Sequence, residues 1–109
     1  MSKDAGGPDK PLQRLLGGFI RLHVLHHAAE KEGVVGNWMI EELRRHGYRL
    51  SPGTLYPILH AMEEDGWLKS RKAPGGGRRR VYRITQAGRR AFSVAQERLG
   101  ELLQEVAEP

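Results

Sequence analysis

At 109 residues, 39% of them apolar and 28% charged, the chain has room for one domain with a single modest core. It contains no cysteine, which excludes disulfides, thiolate-bound zinc and thiol catalysis, and it has no run of about 18 apolar residues that could cross a bilayer. The formal net charge of +5 is unevenly spread: residues 1–36 carry five basic and four acidic side chains, residues 37–90 twelve and five, and residues 91–109 one and four. From Lys69 to Arg90 every charged side chain is basic, and such a single-sign field attracts a polyanion.

In chain order, residues 1–10 read as a disordered leader, because nothing there can be buried. The leader lacks the apolar stretch of a secretory signal, so the cytoplasm is the expected compartment. Pro11 suits a first helical turn, and Leu12, Leu15, Leu16, Phe19, Ile20, Leu22 and Val24 mark a helix to about Lys31. Asn37 is a candidate N-cap for a second helix, Trp38 to His46, with Met39, Ile40 and Leu43 inward, and Gly47 is placed to end it at positive φ. Ser51-Pro52 combines a hydroxyl N-cap with proline at the first helical position. It opens a third helix to Asp65 that turns Leu55, Ile58, Leu59 and Met62 inward, with a local bend expected at Pro57. Trp67–Lys72 and Arg80–Thr85 read as strands of a hairpin around a Gly-rich tip. Thr85 then caps a fourth helix from Gln86 to about Ala107, whose Phe92, Ala95, Leu99, Leu102 and Val106 alternate spacings of three and four as in a coiled-coil seam.

The expected fold class is therefore mainly α with a small β-hairpin: a winged helix-turn-helix over residues 11–85 and a C-terminal dimerisation helix over 86–109. In that arrangement the third helix enters a DNA major groove, its free amides and dipole close to phosphate. Ser51, Gly53, Thr54, Tyr56 and His60 fall on its outward face; Thr54 and His60 can hydrogen-bond a base edge, and Tyr56 can reach a phosphate or sugar. None has the bidentate reach of Arg, Asn or Gln, so direct base reading is expected to be modest. Arg78, Arg79 and Arg80 at the hairpin tip suit the phosphate backbone or the minor groove. The seam of the fourth helix lacks a partner in so small a protein, and pairing with a second copy gives a twofold dimer.

His23 and His27 lie four apart on the first helix with His26 beside them, a spacing that can share a metal. With no cysteine and Glu30 the nearest acid, they are read as solvated or packed histidines, and neither a metal nor another cofactor is expected. Ser51 and Thr85 are accounted for as caps, no nucleophile has an evident base, and the chain is not expected to be an enzyme.

The strings Ser51-Pro52-Gly53-Thr54-Leu55-Tyr56-Pro57-Ile58-Leu59 and Met62-Glu63-Glu64-Asp65-Gly66-Trp67-Leu68 resemble the PadR family of winged-helix regulators, as does the wing exit from Arg79 to Gly88. The resemblance runs from about Leu12 to Ala107 and, through its single C-terminal helix, points to the short-tailed subgroup. It implies a dimeric repressor of a pseudo-palindromic operator, released by a small-molecule effector, with the recognition helix starting at the Ser-Pro-Gly-Thr string. The tryptophan that some members use on the last helix to stack flat aromatic drugs has no counterpart between Gln86 and Pro109. Two other readings of the same residues are a winged-helix module for protein or RNA, and a metal sensor built on His23 and His27.

Overall fold

The computed structural model describes residues 10–75 and 77–107. Its elements run α1 (Lys10–Ala28), β1 (Val34–Val35), α2 (Gly36–Arg45), α3 (Pro52–Glu64), β2 (Leu68–Lys72), β3 (Arg80–Ile84) and α4 (Gln86–Ala107). The leader expected over 1–10 lies outside the described residues except for Lys10, which is already helical.

The core is where the apolar faces of α1, α2 and α3 meet the inner face of the sheet. Val24, Met39, Leu43, Leu55 and Leu59 are wholly buried, and Met62, Leu68, Val34 and Tyr82 close around them. At about 25 cal/mol per Å² of apolar surface removed from water, this cluster is the main source of stability in so small a chain. Burial raises the Tyr82 phenol above its ordinary pKa, the neighbouring Glu63 carboxylate adds to the effect, and Arg80 opposes it.

The hairpin is joined by a strand the sequence reading lacks. Val34 and Val35 pair antiparallel with Tyr82 and Val81, giving a three-stranded sheet in the order β1-β3-β2. Two residues carry no measurable alternation, so β1 becomes visible only through its partner. Because Val34-Val35 is a strand, α2 begins at Gly36 rather than after Asn37, with Val35 as N-cap and no side chain capping it. Gly36 itself is a matter of space: a methyl group there would run into the Tyr56 ring, with Cε1 only 2.7 Å away. Between α2 and α3 the chain reverses at Gly47, whose φ of 93° is open to glycine at little cost.

Two further differences, and one expectation met, bear on the interface. α1 stops at Ala28, short of the expected Lys31, because a tight turn follows in which Gly33 N–H donates to Glu30 C=O. Ser51 stands at the N-cap of α3, but its hydroxyl meets Thr54 Oγ1 at 3.3 Å and caps no backbone amide. Thr85 does cap α4: its hydroxyl accepts from Gly88 N–H at 2.9 Å and donates to Gly66 C=O at 2.6 Å, fixing the last helix to the turn before β2.

Candidate nucleic-acid interface

α2 and α3 form the helix-turn-helix, and α3 presents Ser51, Gly53 and His60 to solvent. Thr54 is half-buried, and its hydroxyl is engaged with Ser51. Tyr56 is also half-buried, set over Gly36 at the start of α2 and packed on the core, with its ring 6.5 Å from that of His60. The first turn of α3 is therefore open, while Tyr56 sets how closely α2 and α3 approach. Pro57 lies within the helix without ending it.

The wing is built from register. Leu68 faces Ile84, Ser70 faces Tyr82 and Lys72 faces Arg80 on one side of the ladder; Lys69 faces Arg83 and Arg71 faces Val81 on the other. Paired residues share a face, so the inner side buries Leu68 and Tyr82 near the base and becomes cationic toward the tip. Two of the five pairs set like charges directly opposite each other, an arrangement that costs stability unless an anion lies nearby. Arg78, Arg79 and Arg80 are all exposed.

The three arginines are not equivalent. Arg80 Nε donates to Ser70 Oγ at 3.0 Å and Nη2 to Ser70 C=O at 3.4 Å. Ser70 in turn donates to Glu63, from Oγ at 2.9 Å and from its backbone N–H at 3.2 Å. Glu63, near the end of α3, thus holds β2, and through Ser70 it holds Arg80 on β3. This link fixes the wing to the third helix. The sequence reading missed it, since Glu63 and Ser70 look like ordinary surface residues until the hairpin folds back. Among the described residues the side chains of Arg78 and Arg79 make no ion pair or hydrogen bond, whereas the Arg79 backbone C=O accepts from Ala73 N–H at 2.9 Å.

The residues read as a seam on α4 divide into two groups. Phe92, Ala95 and Leu99 are half-buried, with Phe92 packed on the core. Leu102 and Val106 stand out in solvent, 49% and 67% exposed, together with Val94 and Leu103. The N-terminal half of α1 is apolar and open as well: Leu15 is 74% exposed and Phe19 41%. From the sequence that spacing marks only the helix; the core is filled by α1 residues from Ile20 onward.

His23 lies with His46, ring centroids 4.8 Å apart, and beside Tyr48 at 5.5 Å. Its pKa is lowered first by burial and then by the neighbouring histidines, with Glu42 acting weakly the other way. The Glu42 carboxyl is held below its usual range, chiefly by a hydrogen bond from His46 at 3.1 Å.

With this geometry in hand, comparison with known proteins is specific. Residues 24–94 match the model of the transcriptional regulator PadR-like family. The chain is 57% identical over 88 residues to transcriptional regulator Rv3488 of Mycobacterium tuberculosis, covering 80% of this chain and 81% of that one. It is 37% identical over 60 residues to transcriptional activator GvpE of Haloferax mediterranei, a match covering 54% of this chain and 30% of GvpE. The crystal structure of a PadR family regulator from Eggerthella lenta superposes with a TM-score of 0.72 at 27% identity, covering 97% of this chain and 89% of that one. The likeness bears out the fold class read from the residues, winged helix with a C-terminal helix, and these relatives are regulators, not enzymes. The chain belongs to the PadR-like family of transcriptional regulators.

Proposed function

We propose that the chain is a cytoplasmic homodimeric repressor that binds a pseudo-palindromic duplex operator and is released by a small molecule. The observation that carries the DNA reading is the wing, where Lys69 opposes Arg83 and Lys72 opposes Arg80 with no acid on either strand. Such pairs are relieved by phosphate, which exchanges its condensed counterions for these cations. In this reading Ser51, Gly53, Thr54 and His60 meet the major groove, and Tyr56 holds the helix pair at the spacing the groove requires. Arg78 and Arg79 lie along the backbone, with Arg80 beside them at the start of β3 and tied to Ser70. Few bidentate base contacts are available, so phosphate contacts and duplex shape carry much of the recognition.

The dimer reading rests on the apolar stripe left open by Leu15, Phe19, Leu102, Leu103 and Val106, which a second copy would cover by twofold symmetry. Repression follows from occupancy alone: a bound dimer blocks polymerase without any further contact. The effector would act between α1 and α4, where it could alter the distance between the two wings. The test is the double variant Leu102→Glu/Val106→Glu; both sites are exposed, so the fold should survive. Sedimentation is expected to show monomers, with operator binding falling in parallel. A variant that stays dimeric with full affinity would place the dimer contact elsewhere.

A further inference from the structure

The structure assigns a binding site for a borderline divalent transition cation, such as Zn²⁺, Co²⁺ or Ni²⁺, to His26, His27 and Glu30 at the C-terminal end of α1. The argument begins with His27. Its ring is 12% exposed, and each ring nitrogen faces a carboxylate: Nδ1 lies 3.3 Å from Glu30 Oε2, and Nε2 lies 3.5 Å from Glu42 Oε2. A neutral imidazole has one N–H for these two acceptors. Nδ1 is buried and makes no hydrogen bond. When Nε2–H points to Glu42, Nδ1 turns a lone pair on a carboxylate oxygen, and two donors of electron pairs face each other at 3.3 Å.

A cation resolves that conflict, and the spacing suits one. Ligand atoms of a tetrahedral site with bonds of about 2.0–2.2 Å stand roughly 3.3–3.6 Å apart, the separation found between Nδ1 and Oε2. His26 supplies the third ligand: the donor atoms of His26, His27 and Glu30 all lie within 4.8 Å of one another. His26 and Glu30 are exposed and free to rotate inward, and solvent can provide the fourth position.

The surroundings agree with this. Ligating histidines usually donate their other N–H to a carboxylate, which fixes tautomer and ring orientation. Glu42 stands in that place, itself held by His46 at 3.1 Å and Arg45 at 3.6 Å. The site caps the carbonyl end of α1, where the helix dipole favours positive charge. Two imidazoles and one carboxylate suit zinc-like ions, whereas calcium and magnesium need more oxygen ligands than are present. The pair suggested by helical spacing, His23 with His27, is not the one used: His23 faces His46 and Tyr48.

The test needs no nucleic acid, so it stands or falls apart from the DNA reading. Tag-free full-length chain, stripped with EDTA, is titrated calorimetrically with ZnCl₂, and with Co²⁺ while the visible d–d bands are recorded. One ion per chain is expected, with intense bands of four-coordinate cobalt. Glu42→Gln should weaken binding about 10–100-fold at unchanged stoichiometry, and His26→Ala or Glu30→Gln by at least as much. His23→Ala should leave binding unchanged. Zn²⁺ should raise the melting temperature of the wild type and not of the His26→Ala/Glu30→Gln double variant, which alters only exposed side chains. Absence of zinc binding by the wild type, or equal affinity in that double variant, would overturn the assignment.

Discussion

The wing arginines can be separated by experiment, because they differ in what already holds them. Arg78 and Arg79 are exposed and their side chains have no hydrogen-bond or ion-pair partner among the described residues, so each can commit its whole guanidinium to phosphate. Arg80 is anchored on Ser70 through Nε and Nη2, which leaves little of its fork to offer. Each phosphate contact adds about 0.9 to the slope of log affinity against log salt. Between 50 and 200 mM salt that slope corresponds to about a 3.5-fold change in affinity per contact, and about 12-fold for two. Arg78→Ala and Arg79→Ala should therefore each lower the slope by about 0.9, and the double variant by about 1.8. Arg80→Ala should lower it by less than half as much as either single variant. It should instead cost about 0.5–1.5 kcal/mol of stability, as its bonds to Ser70 are lost. Fluorescence anisotropy of a labelled duplex across a salt series, paired with urea unfolding, reads both effects. If Arg80→Ala flattened the slope as much as Arg78→Ala, or if the Arg78/Arg79 double variant left it unchanged, the division of labour would be wrong.

Two further outcomes follow from the packing. Gly36→Ala should destabilise the chain by about 1–3 kcal/mol, although helix propensity alone favours alanine by up to about 1 kcal/mol, because the new methyl strikes the Tyr56 ring. In a Tyr56→Ala background the same change should become neutral or stabilising, and an equal cost in both backgrounds by urea titration would contradict the contact. His23 has a folded-state pKa below the ordinary 6.5, so the unfolded chain takes up its proton more readily. Stability should thus be fully present above that value and fall as the pH drops below it; His23→Gln should flatten this slope when melting is followed in EDTA from pH 7.5 to 5.5. A wild-type profile no steeper than the variant's would refute the link.

What was legible in the sequence was local. Ser51-Pro52 starts α3, Gly47 takes positive φ, and Thr85 caps α4, because each signal is carried by one or two residues. The hairpin register was implicit in Leu68, Tyr82 and Ile84 facing a common core. What escaped depends on long-range closure. β1 exists because β3 offers it an edge, and α2 starts early because β1 ends there. The Glu63–Ser70–Arg80 relay spans three elements, so no periodicity can reveal it. The histidines were visible as a cluster on one helix, yet their partners Glu42 and His46 come from α2, and these decide which ring nitrogen is left bare. The stripe on α1 shows a different limit: Leu12, Leu15 and Phe19 have the spacing of a core face, and spacing does not tell whether that core lies within the chain or against a second copy.

DNA binding as proposed requires α3 and the wing, doubled by symmetry, to fit one duplex. Hydroxyl-radical footprinting tests this most directly, on a duplex selected by this protein from a random pool. Two protected patches are expected, related by a twofold axis and centred about 34–36 Å apart, one turn of DNA, with flanking protection where the wings lie. A single unsymmetrical patch, or selection that enriches no duplex above a non-specific one at physiological salt, would contradict it.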